Sequence, residues 1–118
     1  MRVLVVENDP DVLDVVLAIL SDFDIEATGA TDPSQAIGLL NTERWDVLLS
    51  DVLFPDRLDG FAVAAVAARL ATPCILMSGD VHQTERVADR GLAFLAKPFS
   101  MADLIAAVTA PLALPLAA

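Results

Sequence analysis

Val3-Leu4-Val5-Val6-Glu7-Asn8-Asp9-Pro10 opens the chain behind Met1-Arg2. Four aliphatic residues without a polar break mark a strand buried on both faces, the habit of a parallel sheet covered by helices. Asp9-Pro10 then marks a helix start. An aspartate N-cap accepts a hydrogen bond from a free first-turn amide, and proline at the first helical position sacrifices no bond. The pattern predicts a helix to about Leu20, and the alternation continues to the end of the chain. Ile25–Thr28 reads as a weaker strand, and Thr31-Asp32-Pro33 starts a second helix ending near Asn41. Val47–Ser50 is a third strand, followed after Asp59-Gly60 by a helix from Phe61 to about Leu70. Ile75–Met77 is a fourth strand, His82–Asp89 a short helix closed by Gly91, and Leu92–Leu95 a fifth strand. Ser100 caps a last helix, with Asp103 three residues on. Strands alternating with helices imply an α/β fold, its parallel sheet covered on both faces.

Composition bounds the function. The chain has 118 residues, the size of one domain. With 56% hydrophobic and 20% charged residues it is not disordered. A net charge of −10 with only 7 Lys and Arg excludes nucleic acid or an anionic membrane as the main partner, because binding a polyanion needs clustered cations. The lone cysteine, Cys74, forms no disulfide framework or cysteine zinc site and reads as a small buried hydrophobe. The longest uncharged run, Leu104 to Ala118, is shorter than the ~20 residues a membrane span needs, and Pro111 and Pro115 interrupt it. The expectation is a soluble cytoplasmic domain with its core in residues 2–110 and an apolar tail over 111–118.

In covered parallel sheets, chemistry sits at the carboxyl ends of the strands. Those ends read Glu7-Asn8-Asp9, Ser50-Asp51, Ser78-Gly79-Asp80 and Ala96-Lys97-Pro98. Gathered on one edge, their oxygen ligands suit a hard cation such as Mg²⁺. A carboxylate can accept a phosphoryl group, and a lysine and a serine can bind its oxygens.

These motifs, with Phe-Pro55, Asp59-Gly60 and Phe94-Leu-Ala-Lys97-Pro98-Phe99, resemble the receiver domain of bacterial two-component response regulators over nearly the whole chain. The resemblance implies a flavodoxin-like (βα)5 doubly wound domain with strand order 2-1-3-4-5. It implies a signalling module rather than an enzyme, phosphorylated by a histidine kinase or a histidine phosphotransfer protein. Asp51 matches the phosphoacceptor. Glu7 and Asn8 match the acidic pair that holds Mg²⁺, with Asp51 and the backbone carbonyl of Leu53. Ser78 and Lys97 match the phosphate-binding hydroxyl and lysine, and Phe94 the aromatic switch. The Lys97–Pro98 peptide is expected to be cis.

The sequence also departs from the family pattern. Asn8 stands where an aspartate is usual, which predicts weaker Mg²⁺ binding. The loop from Pro55 to Gly60 is one residue longer, and the segment from Ser78 to Lys97 is shorter, giving a shortened fourth helix. Leu53 cannot orient an attacking water, whereas Asp80 could orient or repel one, so both are expected to tune the lifetime of the phosphoryl group. On the first helix, Val12, Val15, Val16, Ile19 and Leu20 form a core stripe. Leu13 and Leu17 then fall outside it as a docking patch for the phosphodonor. Ala106, Ala107 and Thr109 face outward on the last helix, as a homodimer contact, a partner contact or a seat for the tail. His82 reads as a solvated loop residue, Trp45 as a cover for the edge of the second helix and Asp9 as a helix cap. Two rivals stand against phosphorylation: a phosphorylation-independent interaction module, and an enzyme of similar fold. The second is disfavoured because Leu53 replaces the aspartate a dehalogenase-type phosphatase needs, and because the acidic loop after the first strand is no glycine-rich phosphate cradle.

Overall fold

Alternation along the first strand decides how the layers are filled. In the computed structural model, which describes residues 1–55 and 59–113, β1 spans Arg2–Val6 and is buried on both faces. Val3 and Val5 point toward one helical layer, Leu4 and Val6 toward the other. The order continues as α1 (Pro10–Asp22), β2 (Glu26–Ala30), α2 (Pro33–Thr42), β3 (Val47–Asp51) and α3 (Gly60–Arg69). Then follow β4 (Cys74–Ser78), α4 (Val81–Asp89), β5 (Ala93–Ala96), α5 (Met101–Thr109) and a 3₁₀ turn over Ala110–Ala113. All neighbouring strands pair in parallel in the order β2-β1-β3-β4-β5, as the resemblance implied.

Among the described residues, each of these five α-helices starts on an N-cap side chain. Asp9, Asp32, Asp59, Asp80 and Ser100 accept from first-turn amides. Such a cap is worth roughly 1 kcal/mol against alanine. On one face of the sheet, Val16 and Leu20 of α1 and Leu104 and Val108 of α5 cover Val3, Val5 and Leu49. On the other, Ala36 and Leu40 of α2 and Val63 and Ala67 of α3 cover Leu4, Val6 and Leu48. Trp45 closes this second layer and donates its indole N–H to the Leu39 carbonyl at 3.0 Å.

The shortened fourth helix is present as nine regular residues. Val87 anchors it in a patch with Val52, Phe61 and Leu76. The guanidinium carbons of Arg90 and Arg86 lie 4.1 and 4.7 Å from the Phe61 ring centroid, which ties α4 to the first turn of α3. His82 belongs to the first turn of α4 rather than to a loop.

One element is placed differently from expectation. Leu13 is buried in the core and Leu17 is half-buried against it, so neither forms an exposed docking patch. The reason is where α1 rests. It packs chiefly over β2, and both leucines close on Gly29, where a Cβ would meet Leu13 Cδ2 at 2.9 Å and Leu17 Cδ1 at 3.1 Å. The buried face of α1 is rotated accordingly, and Val15 of the expected stripe is 58% exposed.

On α5, Leu104 and Val108 are buried, Ile105, Ala107 and Thr109 half-buried and Ala106 exposed. Residues 114–118 of the expected tail and residues 56–58 of the longer loop lie outside the described residues. Among the described residues, no helix is long and apolar enough to cross a membrane.

Candidate functional site at the carboxyl edge of the sheet

The register of β1, β3, β4 and β5 brings their carboxyl ends together. Val6 aligns with Ser50, Asp51 with Met77, and Ser78 with Ala96. The next side chains therefore converge on an open cleft of about 320 Å³, lined by Glu7, Asn8, Asp51, Leu53, Ser78 and Lys97 among others.

Lys97 organises it. Its Nζ lies 2.6 Å from Asp51 Oδ1 and donates to Glu7 Oε1 at 2.9 Å and Oε2 at 3.1 Å. The peptide before Pro98 is cis, and the Lys97 amide donates to the Ser78 carbonyl at 3.0 Å, which joins the ends of β4 and β5. The second Asp51 oxygen, Oδ2, accepts from the Asn8 backbone N–H at 3.1 Å. Glu7 is 2% and Asp51 7% exposed, so these are buried carboxylates satisfied by the chain itself. Burial pushes the Asp51 carboxyl above its ordinary range, and the Lys97 ammonium and Asn8 N–H oppose that rise.

Gly60 holds the end of β3 from behind. Its N–H donates to the Val52 carbonyl at 2.8 Å, and a Cβ there would stand 2.1 Å from the Asp51 carbonyl oxygen. The aspartate before it, Asp59, caps α3 at the same corner.

Of the residues singled out in the sequence, Glu7, Asn8, Asp51, Leu53, Ser78 and Lys97 line the cleft. Asp80 does not. Its carboxylate caps α4 by accepting from the His82 N–H at 2.9 Å, and its own N–H donates to Ser78 Oγ at 3.0 Å. Asp80 is thus placed as the α4 cap beside Ser78, outside the cleft lining. Phe94 is half-buried beside the α3–α4 patch, away from the cleft lining. Asp9 lines the cleft as well as capping α1.

Two features were missed from sequence. The first is the Glu7–Lys97 contact, between residues 90 apart. The second is an apolar groove of about 390 Å³ between α1 and the β5–α5 connection, lined by Val12, Val15, Ile19, Pro98 and Phe99 among others. Val12 and Lys97 line both groove and cleft, so the two are continuous. The spacing of Val12, Val15 and Ile19 was the available signal for the groove.

Among the described residues, no three of His, Cys, Asp and Glu cluster as a metal centre. The oxygen-bearing side chains on the cleft lining are those of Glu7, Asn8, Asp9, Asp51 and Ser78. That set is hard and all-oxygen, and fits a cation of the Mg²⁺ kind that keeps part of its water shell.

A buried aspartate at the end of the central strand of a doubly wound sheet, held by a lysine and backed by a second acid, is the arrangement of the receiver class. The family described as response regulator receiver domain matches residues 3–109, and the chain belongs to that family. The two-component response regulator ORR21 of Oryza sativa subsp. indica is 33% identical over 110 residues, covering 88% of this chain and 16% of that protein. The transcriptional regulatory protein PdtaR of Mycobacterium tuberculosis is 31% identical over 112 residues, covering 91% and 54%. The chain thus spans no more than about half the length of these two relatives. Among solved structures, a response regulator receiver protein from Sinorhizobium medicae superposes with a TM-score of 0.87 at 27% identity, over 95% of this chain and 94% of that one. The receiver domain of sensor histidine kinase PA1611 from Pseudomonas aeruginosa, with a magnesium ion coordinated in its active site cleft, gives 0.82 at 27% identity over 92% and 94%.

Proposed function

We propose that Asp51 accepts a phosphoryl group from a phosphohistidine of a histidine kinase or histidine phosphotransfer protein, and that the modified chain signals through an altered protein contact. The observation that carries this reading is the Lys97 ammonium shared between Asp51 and Glu7 inside one cleft. An Asp51 carboxylate oxygen forms the new O–P bond as the P–N bond of the phosphohistidine breaks. The leaving imidazole nitrogen keeps the bonding pair and takes up a proton. Lys97 then balances the charge spreading over the phosphoryl oxygens. Ser78 Oγ already accepts from the Asp80 N–H, which leaves its hydrogen free to donate to one of those oxygens.

Glu7, Asp51, the Asn8 amide oxygen and the Leu53 carbonyl would hold Mg²⁺. When bound, the ion supplies charge neutralisation at the transferring group. The magnesium in the cleft of the PA1611 receiver domain supports this assignment. The apolar groove beside the cleft supplies a partner surface in place of Leu13 and Leu17. A helix of the donor laid along Val12, Val15 and Ile19 meets the cleft at Lys97.

The test is incubation with a small-molecule phosphodonor and Mg²⁺, read by intact mass. The wild type gains one phosphoryl group and Asp51→Asn gains none. An unmodified wild type would favour the second reading, a phosphorylation-independent interaction module, for which the neutral Asn8 in the cation site is the specific observation.

A further inference from the structure

A groove of about 470 Å³ opens at the amino edge of the sheet, the edge opposite the Asp51 cleft. Cys74 and Ala93, which begin β4 and β5, line it together with Ala64 and Ala68 of α3, Ala107 of α5 and Pro111 just beyond. Because α3 and α5 cover opposite faces of the sheet, the groove passes from one helical layer to the other. The alanines on both helices are too short to fill the gap. No described residue of the lining is charged, in a chain with 17 acidic and 7 basic residues, and Thr72 supplies the one hydroxyl among them. Such a lining selects an uncharged, apolar occupant.

The chain carries one within reach. From Leu104 to Ala118 no residue is charged, and positions 114–118 read Leu-Pro-Leu-Ala-Ala. We propose that residues 114–118 fold back into the groove, with Leu114 and Leu116 entering it over Cys74. The starting point fits, because Pro111 already stands in the groove wall. The length fits as well: five extended residues reach up to about 17 Å, whereas a groove of 470 Å³ that is as wide as it is deep measures about 8 Å. Pro115 steers Leu114 away from helix. In an extended segment, residues two apart point to the same side, so both leucines enter together. A tether this short gives an effective concentration of ~mM, which favours this segment over a free partner or a second copy. Once seated, it bridges the α3 and α5 layers and shields the Cys74 thiol. Docking of this kind requires no phosphorylation of Asp51.

Cys74, the single cysteine, reports on the groove. Burial pushes its thiol pKa up to about 12, so at neutral pH it reacts slowly and any added exposure registers as a faster rate. The experiment alkylates the folded full chain with iodoacetamide and follows intact mass. Leu114→Asp combined with Leu116→Asp should raise the rate at least about fivefold, since burying a single leucine is worth about a factor of ten. An unchanged rate overturns the proposal. A proximity measurement separates local opening from a loosened fold. Leu114→Cys and Leu116→Cys, each oxidised with glutathione disulfide, should bond to Cys74 within one chain, seen as a monomer two hydrogens lighter. At least one of the two should close about tenfold faster in buffer than in urea. Bonds joining two chains would give the groove to a second copy and overturn the proposal. Absence of a bond within the chain, or equal closure in urea, would overturn it too.

Discussion

Replacing Gly60 by alanine and Gly38 by alanine is the same chemical change, yet the two should move stability in opposite directions. At Gly60 the added methyl would stand 2.1 Å from the Asp51 carbonyl oxygen, 2.8 Å from Val52 Cα and 3.0 Å from the Asp51 carbonyl carbon. All three are backbone atoms, so no side chain can swing away. The first turn of α3 must lift by about 1 Å or more to restore contact distance, which breaks the 2.8 Å bond from the Gly60 N–H to the Val52 carbonyl. Overpacking costs about 1–3 kcal/mol, and the lost bond about 1 kcal/mol. Alanine returns up to ~1 kcal/mol of backbone entropy, which leaves a net loss of about 1–3 kcal/mol. Gly38 is exposed within α2 and has nothing within 4 Å of its Cβ position, so alanine there should gain about 0.5–1 kcal/mol. Urea unfolding followed by circular dichroism reads both as midpoint shifts. A Gly60→Ala midpoint within error of wild type would refute the claim that α3 is jammed against the end of β3. Because the displaced corner carries Asp51, the same variant should also label more slowly with a phosphodonor than Gly38→Ala does.

Asp51→Asn should make the chain more stable than wild type at neutral pH. Burial raises the folded-state pKa above the unfolded value near 4. The folded chain therefore binds more protons between the two values, and this contribution, complete below the unfolded pKa, is lost as pH rises through the folded one. Unfolding in chelator should show the variant's advantage widening from acid to neutral pH, and a constant gap would count against it. Leu53→Asn, at a half-exposed position on the cleft lining, puts a polar group where a water can be oriented and should hasten loss of the phosphoryl group. Loss of label at the wild-type rate or slower would contradict this. Val15→Asp, on the groove but 58% exposed, should change stability by less than about 0.5 kcal/mol and slow transfer from a phosphohistidine partner, with labelling by a small phosphodonor unaffected. Equal slowing with both donors would remove the groove from the partner surface.

Where information is local, the sequence was read correctly. Val3–Val6 announced a doubly covered strand, and Asp9-Pro10 and Ser100 with Asp103 announced caps that the structure shows. The convergence of Glu7, Asp51, Ser78 and Lys97 followed from strand ends alone, because a parallel sheet brings all its carboxyl ends to one edge. Leu13 and Leu17 were misplaced because a helical wheel fixes spacing but not the strand underneath. Only Gly29, a strand residue with no side chain, hinted that α1 leans onto β2. Asp80 carried a capping signal as plain as that of Asp9, but its nearness to Ser78 suggested chemistry instead. The Glu7–Lys97 pair joins the first strand to the last, and no periodicity reports such a distance.

Asp51 takes its aim from a main-chain amide. Because the group steering Oδ2 is the peptide nitrogen of Asn8, any non-proline residue there keeps the Asp51 carboxylate pointed the same way. Under the proposed cation binding, a change at position 8 would alter the charge offered to the ion and leave the alignment of the Asp51 carboxylate as it is.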